Sequence, residues 1–450
     1  MFLQILRHQM DIIIVFSLVF ALNYVCRKLY LSNKLNRILS TSIWIVIIIW
    51  YSIPGILFLI LDNGDDKLSI LFQSVTRNNF LQSFALESLI TVCVVVALMK
   101  FSSHITDKNT ASFCVFLSDT KSQKYLLFLF TFALFFNLFF AKKDYDYLSL
   151  NSAENYTEIT LSQKIIHLIN VVLLATTTLV AIYSKNRKIY LLAFLLIFIS
   201  SVLDFVTGAR FSILTVVFVF ILKVFVQKNI IIEPKRILFF ACLFFVGMNV
   251  LMPIFSTMQD KRGEGIDFVE VAKETTFKND YLLYARVAFT KLDSFSTGYL
   301  LTANEGVGGG GLLPYVGSAL VFLPRNIFPN RPIAGSSDGT IGGHPSRLVP
   351  KSINIISDSL NVGVSPVQIT LWQWGYIGIL IFIIATVFYL KYINWLLNSQ
   401  DIMIKTLGMF LIGIPTFHEI FLASDVALKN FVFSISIIIT LLSVRKLYNR

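Results

Sequence analysis

The sequence predicts an all-α, polytopic integral membrane protein with about eleven transmembrane helices and one large extracytoplasmic loop containing short amphipathic helices. Three observations predict it. Of 450 residues, 56% are hydrophobic and only 14% are charged, whereas a soluble domain is about a quarter charged. The apolar residues gather into runs long enough to cross about 30 Å of hydrocarbon. The basic residues cluster in alternate short connections, as they do where lysine and arginine hold loops on the cytoplasmic side. Lipid offers no partner to a backbone amide, so each span is expected to be a helix.

The apolar stretches lie near 11–26, 43–61, 80–99, 124–141, 165–183, 189–206, 211–227, 237–255, 366–390, 404–420 and 425–443. The first is followed by Cys26, Arg27 and Lys28 and not by a small-residue cleavage site. It is therefore read as a retained span and not as a signal peptide. The sixth and seventh are separated only by a short turn at 207–210. The chain divides into a bundle of about eight spans over 1–255, a large extracytoplasmic loop over 256–365, and a bundle of about three spans over 366–450.

Charge sets the orientation. Arg27, Lys28, Lys34 and Arg37 follow the first span, Lys185, Arg187 and Lys188 the fifth, and Lys223, Lys228, Lys235 and Arg236 the seventh. The opposite connections hold only scattered residues such as Lys67, Arg77 and Lys164. The amino terminus is thus expected outside and the carboxyl terminus inside. The net charge of +12, from 38 basic against 26 acidic residues, contains no run of five basic residues. It is read as loop anchoring against membrane lipids and not as nucleic-acid binding. Cys26, Cys93, Cys114 and Cys242 all fall in spans or inner loops, so no disulfide is expected.

The long loop is polar and rich in glycine and proline. A connection of this length is usually functional or disordered. Over 281–301, Leu282, Leu283, Ala285, Ala288, Phe289, Leu292 and Phe295 recur at helical spacing, which predicts an amphipathic or re-entrant helix. Glu264, Asp267, Glu270 and Glu274 mark a solvated helical face. The run "GVGGGG" at 306–311 lacks the Gly-Lys-Ser/Thr ending of a P-loop and reads as a hinge.

Chemistry is sought among the outward arginines. "TGAR" at 207–210 joins two spans with almost no loop, so Arg210 sits at the membrane surface, where a charge needs a partner. It either snorkels to lipid phosphates, pairs with Asp204, or reaches a substrate. "FLPRNIFPNRP" at 322–332 holds Arg325 and Arg331 between Pro324, Pro329 and Pro332. Each proline fixes its own φ and restrains the residue before it. The segment is a stiff wall carrying two planar forks suited to phosphate, unless both arginines only pin the loop through salt bridges. Arg286 and Arg347 are further candidates for an anionic substrate. "GSSDGTIGGHPSRLVP" at 335–350 supplies Asp338 and His344. The imidazole titrates near neutrality and could serve as a general base, or be an ordinary turn residue. No histidine or cysteine spacing suggests a metal site, and no cofactor is expected.

These pieces together resemble the Wzy-type oligosaccharide repeat-unit polymerases. The resemblance covers the layout of spans, the "TGAR" turn, the late outer loop and its "PRNIFPNRP" element. It also covers "SPVQITLWQWGYIGIL" at 365–380, where Gly375 and Gly378 open a span. It implies a glycosyltransferase of the bacterial inner (cytoplasmic) membrane that makes surface polysaccharide such as O-antigen or capsule. Its substrate would be an undecaprenyl-diphosphate-linked oligosaccharide, and a chain-length regulator protein would be a partner. Arg210, Arg325, Arg331, Arg286 and Arg347 would hold the diphosphate, and His344 or Asp338 would accept a proton. Many relatives carry lysine where this chain has Arg331, so a point charge is expected to serve there. Three rivals stand beside it: an O-antigen ligase-type transferase, a transporter or flippase of the same lipid-linked sugar, and a non-enzymatic membrane scaffold, which leaves the arginines unexplained. Broken helices in two matching halves would favour the transporter.

Reporter fusions test the orientation. Fusions at Lys124, Arg187 and Arg236 should read cytoplasmic, and fusions at Asn151, Gly310 and Ser337 external. An external reading at Arg187 overturns the topology.

Overall fold

The computed structural model describes residues 2–61, 77–102, 174–184, 186–206, 294–308, 365–399 and 402–412. It adds helical positions at 124, 127–128, 130–132, 135, 216, 219–224, 431, 434–435 and 439. All regular structure among the described residues is helical. The helices are α1 (Phe2–Leu31), α2 (Arg37–Ile47), α3 (Ile53–Leu61), α4 (Arg77–Phe101), α5 (Leu174–Tyr183), α6 (Arg187–Val206), α7 (Ser294–Glu305), α8 (Pro366–Trp374), α9 (Ile377–Leu397) and α10 (Ile402–Ile412).

Four stretches among the described residues are long and apolar enough to cross a membrane: Gln9–Leu31, Arg37–Leu59, Arg77–Phe101 and Ile377–Leu397. They fall on the expected spans at 11–26, 43–61, 80–99 and 366–390. The chain thus has the helices of a membrane protein. Helices α5, α6 and α10 fall within or across the expected spans at 165–183, 189–206 and 404–420. The span expected at 237–255, the "TGAR" turn and most of the loop over 256–365 lie outside the described residues.

The second span is not one uniform helix. A π turn, Ile48–Ser52, separates α2 from α3. Pro54 explains it. Proline has no N–H for the helical ladder, and its ring crowds the carbonyl one turn back. Widening the preceding turn relieves that clash. The widened turn carries Tyr51, which is buried.

The expected span at 366–390 is corrected to two helices. Ser365 caps α8, its side chain accepting from the Gln368 amide, and Pro366 occupies the first turn, where a missing N–H costs nothing. Gly375 then ends α8 at φ 66°, a conformation glycine adopts without strain. The spanning helix α9 begins only at Ile377. The fold-back is tight: a Cβ on Gly378 would lie 2.2 Å from the Thr370 carbonyl oxygen.

The helix expected over 281–301 appears in part as α7, from Ser294 to Glu305, with 281–293 outside the described residues. It packs against α4 and α8. Its Phe295, Ser296, Thr297 and Leu301 are buried. Helices α7 and α8 run parallel. Ser365 N–H donates to the Ser294 carbonyl at 3.3 Å at one end, and Gly308 N–H donates to the Leu371 carbonyl at 3.0 Å at the other. The glycine run at 306–311 therefore does not begin as a free hinge, because Gly308 is bonded to α8.

The two ends of the bundle differ. At one, Asn36 N–H donates to Asn394 Oδ1 at 2.7 Å and Asn36 Nδ2 to Asn398 Oδ1 at 3.0 Å. These bonds tie the α1–α2 turn to the end of α9. Lys34 caps α4 there by donating to the Met99 carbonyl. At the other end Arg77 opens α4 beside Asp11 of α1. The alternation matches the expected up-down order of the spans.

The Gly378 contact makes a prediction. Gly378→Ala sets a methyl against backbone that cannot move, and overpacking of this kind costs ~3 kcal/mol or more. Gly306 meets no atom within 4 Å although its φ is 83°, so Gly306→Ala costs only about 1 kcal/mol. Thermal unfolding in detergent should separate the two, and equal loss would contradict the packing described.

Candidate functional site

The residues read from sequence as the site are Arg210, Arg286, Arg325, Arg331, Asp338, His344 and Arg347. All seven lie outside the described residues. Among the described residues, a polar seam inside the bundle is instead brought together by α4, the π turn, α7 and α8.

Helix α4 supplies one face. Ser83, Glu87 and Thr91 follow one another at four-residue spacing, so their side chains stack along one line about 6 Å apart. All three are buried, Glu87 to 1% exposure, halfway along an apolar helix. An ionisable residue at that depth is expensive and marks function by default.

Each neighbour of Glu87 on that line has a partner from another element. Gln368 Nε2 of α8 donates to Ser83 Oγ at 2.8 Å. Thr302 Oγ1 of α7 shares its one proton between Gln368 Oε1 at 3.3 Å and the carbonyls of its own helix, Tyr299 at 3.1 Å and Gly298 at 3.3 Å. One turn beyond Glu87, Thr91 Oγ1 donates to Tyr51 Oη at 2.8 Å. The Glu87 carboxyl is within electrostatic reach of that tyrosine. Gly298 permits the closest approach: a Cβ there would fall 2.5 Å from Gln368 Cγ and 2.8 Å from its Cβ.

Beside the seam is an aromatic cluster. Phe58 and Phe80 stack with centroids 4.5 Å apart. Phe295 of α7 meets Tyr51, Phe80 and Phe84 edge-on at 5.5, 5.7 and 5.2 Å. Edge-to-face pairs at these distances are favourable beyond their buried area. Arg77 closes this end. Its Nε lies 2.6 Å from Asp11 Oδ2, and its guanidinium carbon is 5.8 Å from the Phe58 ring centroid.

Sequence reading passed over these residues. Arg77 counted only as an outer basic residue, and Glu87 did not interrupt the hydropathy of its span. The available signal was Ser83, Glu87 and Thr91 at four-residue spacing inside an apolar run. Among the described residues no cluster of three or more His, Cys, Asp and Glu could hold a metal ion. The seam is a set of hydrogen-bonding oxygens and one carboxamide that locks helices together and surrounds one carboxyl.

Comparison with protein-family models, with curated proteins and with solved structures finds no match for this chain.

The Asp11–Arg77 pair yields a test. Both side chains are largely out of solvent, so removing one takes the ion-pair partner from the other. Arg77→Met or Asp11→Leu alone should cost on the order of 3 kcal/mol. The double variant should recover most of that loss, because two apolar side chains strand no charge. Losses that simply add, measured by thermal unfolding of the purified protein, would show that the pair is not coupled.

Proposed function

We propose that the chain polymerises lipid-linked oligosaccharide repeat units at the outer face of a bacterial inner membrane. The growing glycan leaves its undecaprenyl diphosphate and joins the non-reducing end of a new lipid-linked unit. The observation that carries this reading is the "PRNIFPNRP" element, two arginines on a proline-fixed backbone in the long outer loop. The "TGAR" turn supports it, as does the bundle of apolar helices into which α7 and α8 anchor both sides of that loop.

In such a transfer, a bond forms between an acceptor sugar hydroxyl and the anomeric carbon of the donor. The bond from that carbon to the diphosphate oxygen breaks. Negative charge grows on the departing diphosphate. Cations already held in place stabilise it at no cost in reorganisation. Arg325 and Arg331 take this role, with Arg210, Arg286 and Arg347 completing the cluster. His344 or Asp338 removes the proton from the accepting hydroxyl. Diphosphate is the leaving group, so no nucleotide site is needed.

Arg210→Ala and Arg325→Ala should each abolish long-chain product while membrane abundance and single-repeat product persist. A charge-assisted bond to phosphate contributes roughly 1.5–3 kcal/mol, which is about ten- to a hundredfold in rate. Lysine should rescue Arg325 only in part, because it keeps the charge and loses the fork. At Arg331 lysine should be nearly neutral. Full polymerisation by both alanine variants ends the diphosphate role, and abundance falling in step with activity assigns the arginines to pinning the loop. A deletion strain that keeps one repeat on its acceptor supports a polymerase. A strain with none points to a ligase, and accumulation on the cytoplasmic side to a flippase.

A further inference from the structure

Residue Gly308 and residue Ser365 bound the stretch 309–364, and both are bonded into the bundle through α7 and α8. One side chain ties that helix pair to the spans. Gln368 is 4% exposed. Its amide nitrogen donates to Ser83 on α4, its amide oxygen accepts from Thr302 on α7, and its backbone belongs to α8. Gly298 leaves room for its stem. The carboxamide meets both neighbours at once, donating to Ser83 and accepting from Thr302, whereas a hydrocarbon can do neither.

We propose that Gln368 is a positioning residue, which fixes where the stretch 309–364 leaves and rejoins the bundle. Resting on the polymerase reading, it thereby sets the geometry of the transfer without touching substrate. Its buried bonds are made inside an apolar bundle, where the alternative is an unbonded amide. Loss of the clamp shifts α8 against α7 and α4, and an error of about 1 Å in a reacting geometry costs up to about a hundredfold in rate.

The test has two arms on the full-length protein in membranes. Val307 and Tyr376 are both exposed, and a Cβ on the adjoining Gly375 would lie 3.9 Å from Val307 Cγ1. Val307→Cys with Tyr376→Cys should cross-link through a short bis-maleimide, with each single cysteine as control. Adding Gln368→Leu should lower that yield about threefold. In polymerisation of lipid-linked repeats, Gln368→Leu should lower kcat about tenfold with KM within twofold and abundance unchanged. Ser83→Ala should have a smaller effect, and Ser83→Ala with Gln368→Leu should be no worse than Gln368→Leu alone. Unchanged cross-linking overturns the clamp. Lowered cross-linking with unchanged kcat overturns the positioning role, as does activity that falls only as abundance falls. Absence of polymer from the native protein overturns the polymerase reading instead, and the cross-link arm still decides the clamp.

Discussion

Inside hydrocarbon, a polar group must find its partner within the protein, and the architecture here follows from how Gln368 meets that demand. Its carboxamide reaches two other helices, so α8 can settle only where Ser83 and Thr302 are both within reach. That location brings backbones unusually near. Glycine stands at 298 under the Gln368 stem and at 378 against the Thr370 carbonyl because no Cβ fits at either place. Apolar packing alone discriminates poorly between helix arrangements in a membrane, since lipid tails are as apolar as leucine. Small residues at the contact, together with polar bonds, supply the specificity.

The two helix interruptions obey the same demand in different ways. Pro54 removes a donor from the second span, and the chain answers by widening a turn while staying helical. Gly375 breaks the helix outright, and its N–H is retained by the Leu371 carbonyl. Each interruption delivers something to the seam. The π turn brings Tyr51 to Thr91 and Phe295. The break at Gly375 frees α8 to lie beside α7. Two parallel helices align their dipoles unfavourably, and the pair is held by backbone bonds at its two ends and by Thr302 beside Gln368, while the rings around Phe295 fix α7 to α4 and the π turn.

Much of the fold was legible because hydropathy is local. The runs at 43–61 and 80–99 are long enough to span, so helices there follow directly, and Pro54 in the first alters only the local turn. The Gly-x-x-Gly pair at 375 and 378 reads as opening a span, as α9 does from Ile377, but hydropathy runs on through 366–390, and the packing of Thr370 against Gly378 sets α8 apart. The seam was not legible for a related reason. Ser83 and Thr91 are mild enough to pass as span residues, Glu87 is a single charge in a long apolar run, and the partners Tyr51, Thr302 and Gln368 are distant in sequence. Asp11 and Arg77 each look like ordinary residues at the end of a span until the two helices are set side by side. The arginines read from sequence lie outside the described residues, so the seam is a separate finding.

The chain's positive charge can now be divided by task. Lys34 is committed to the end of α4 beside the Asn36–Asn394 contact, and Lys223 donates to the carbonyls of Ala181 and Ser184 while lying 4.0 Å from the Tyr190 ring centroid. A compact ammonium suits this work, since the C-terminus of a helix carries partial negative charge and unpaired carbonyls. These lysines contribute to the net charge without being free for a phosphate. Arg77 is engaged by Asp11 at the other end. The transfer proposed here would draw its cations from elsewhere in the chain. The sequence offers them as arginines, at 210 and in the loop between α7 and α8. In that proposal the planar fork matters at 210 and 325, whereas at 331 a point charge would serve.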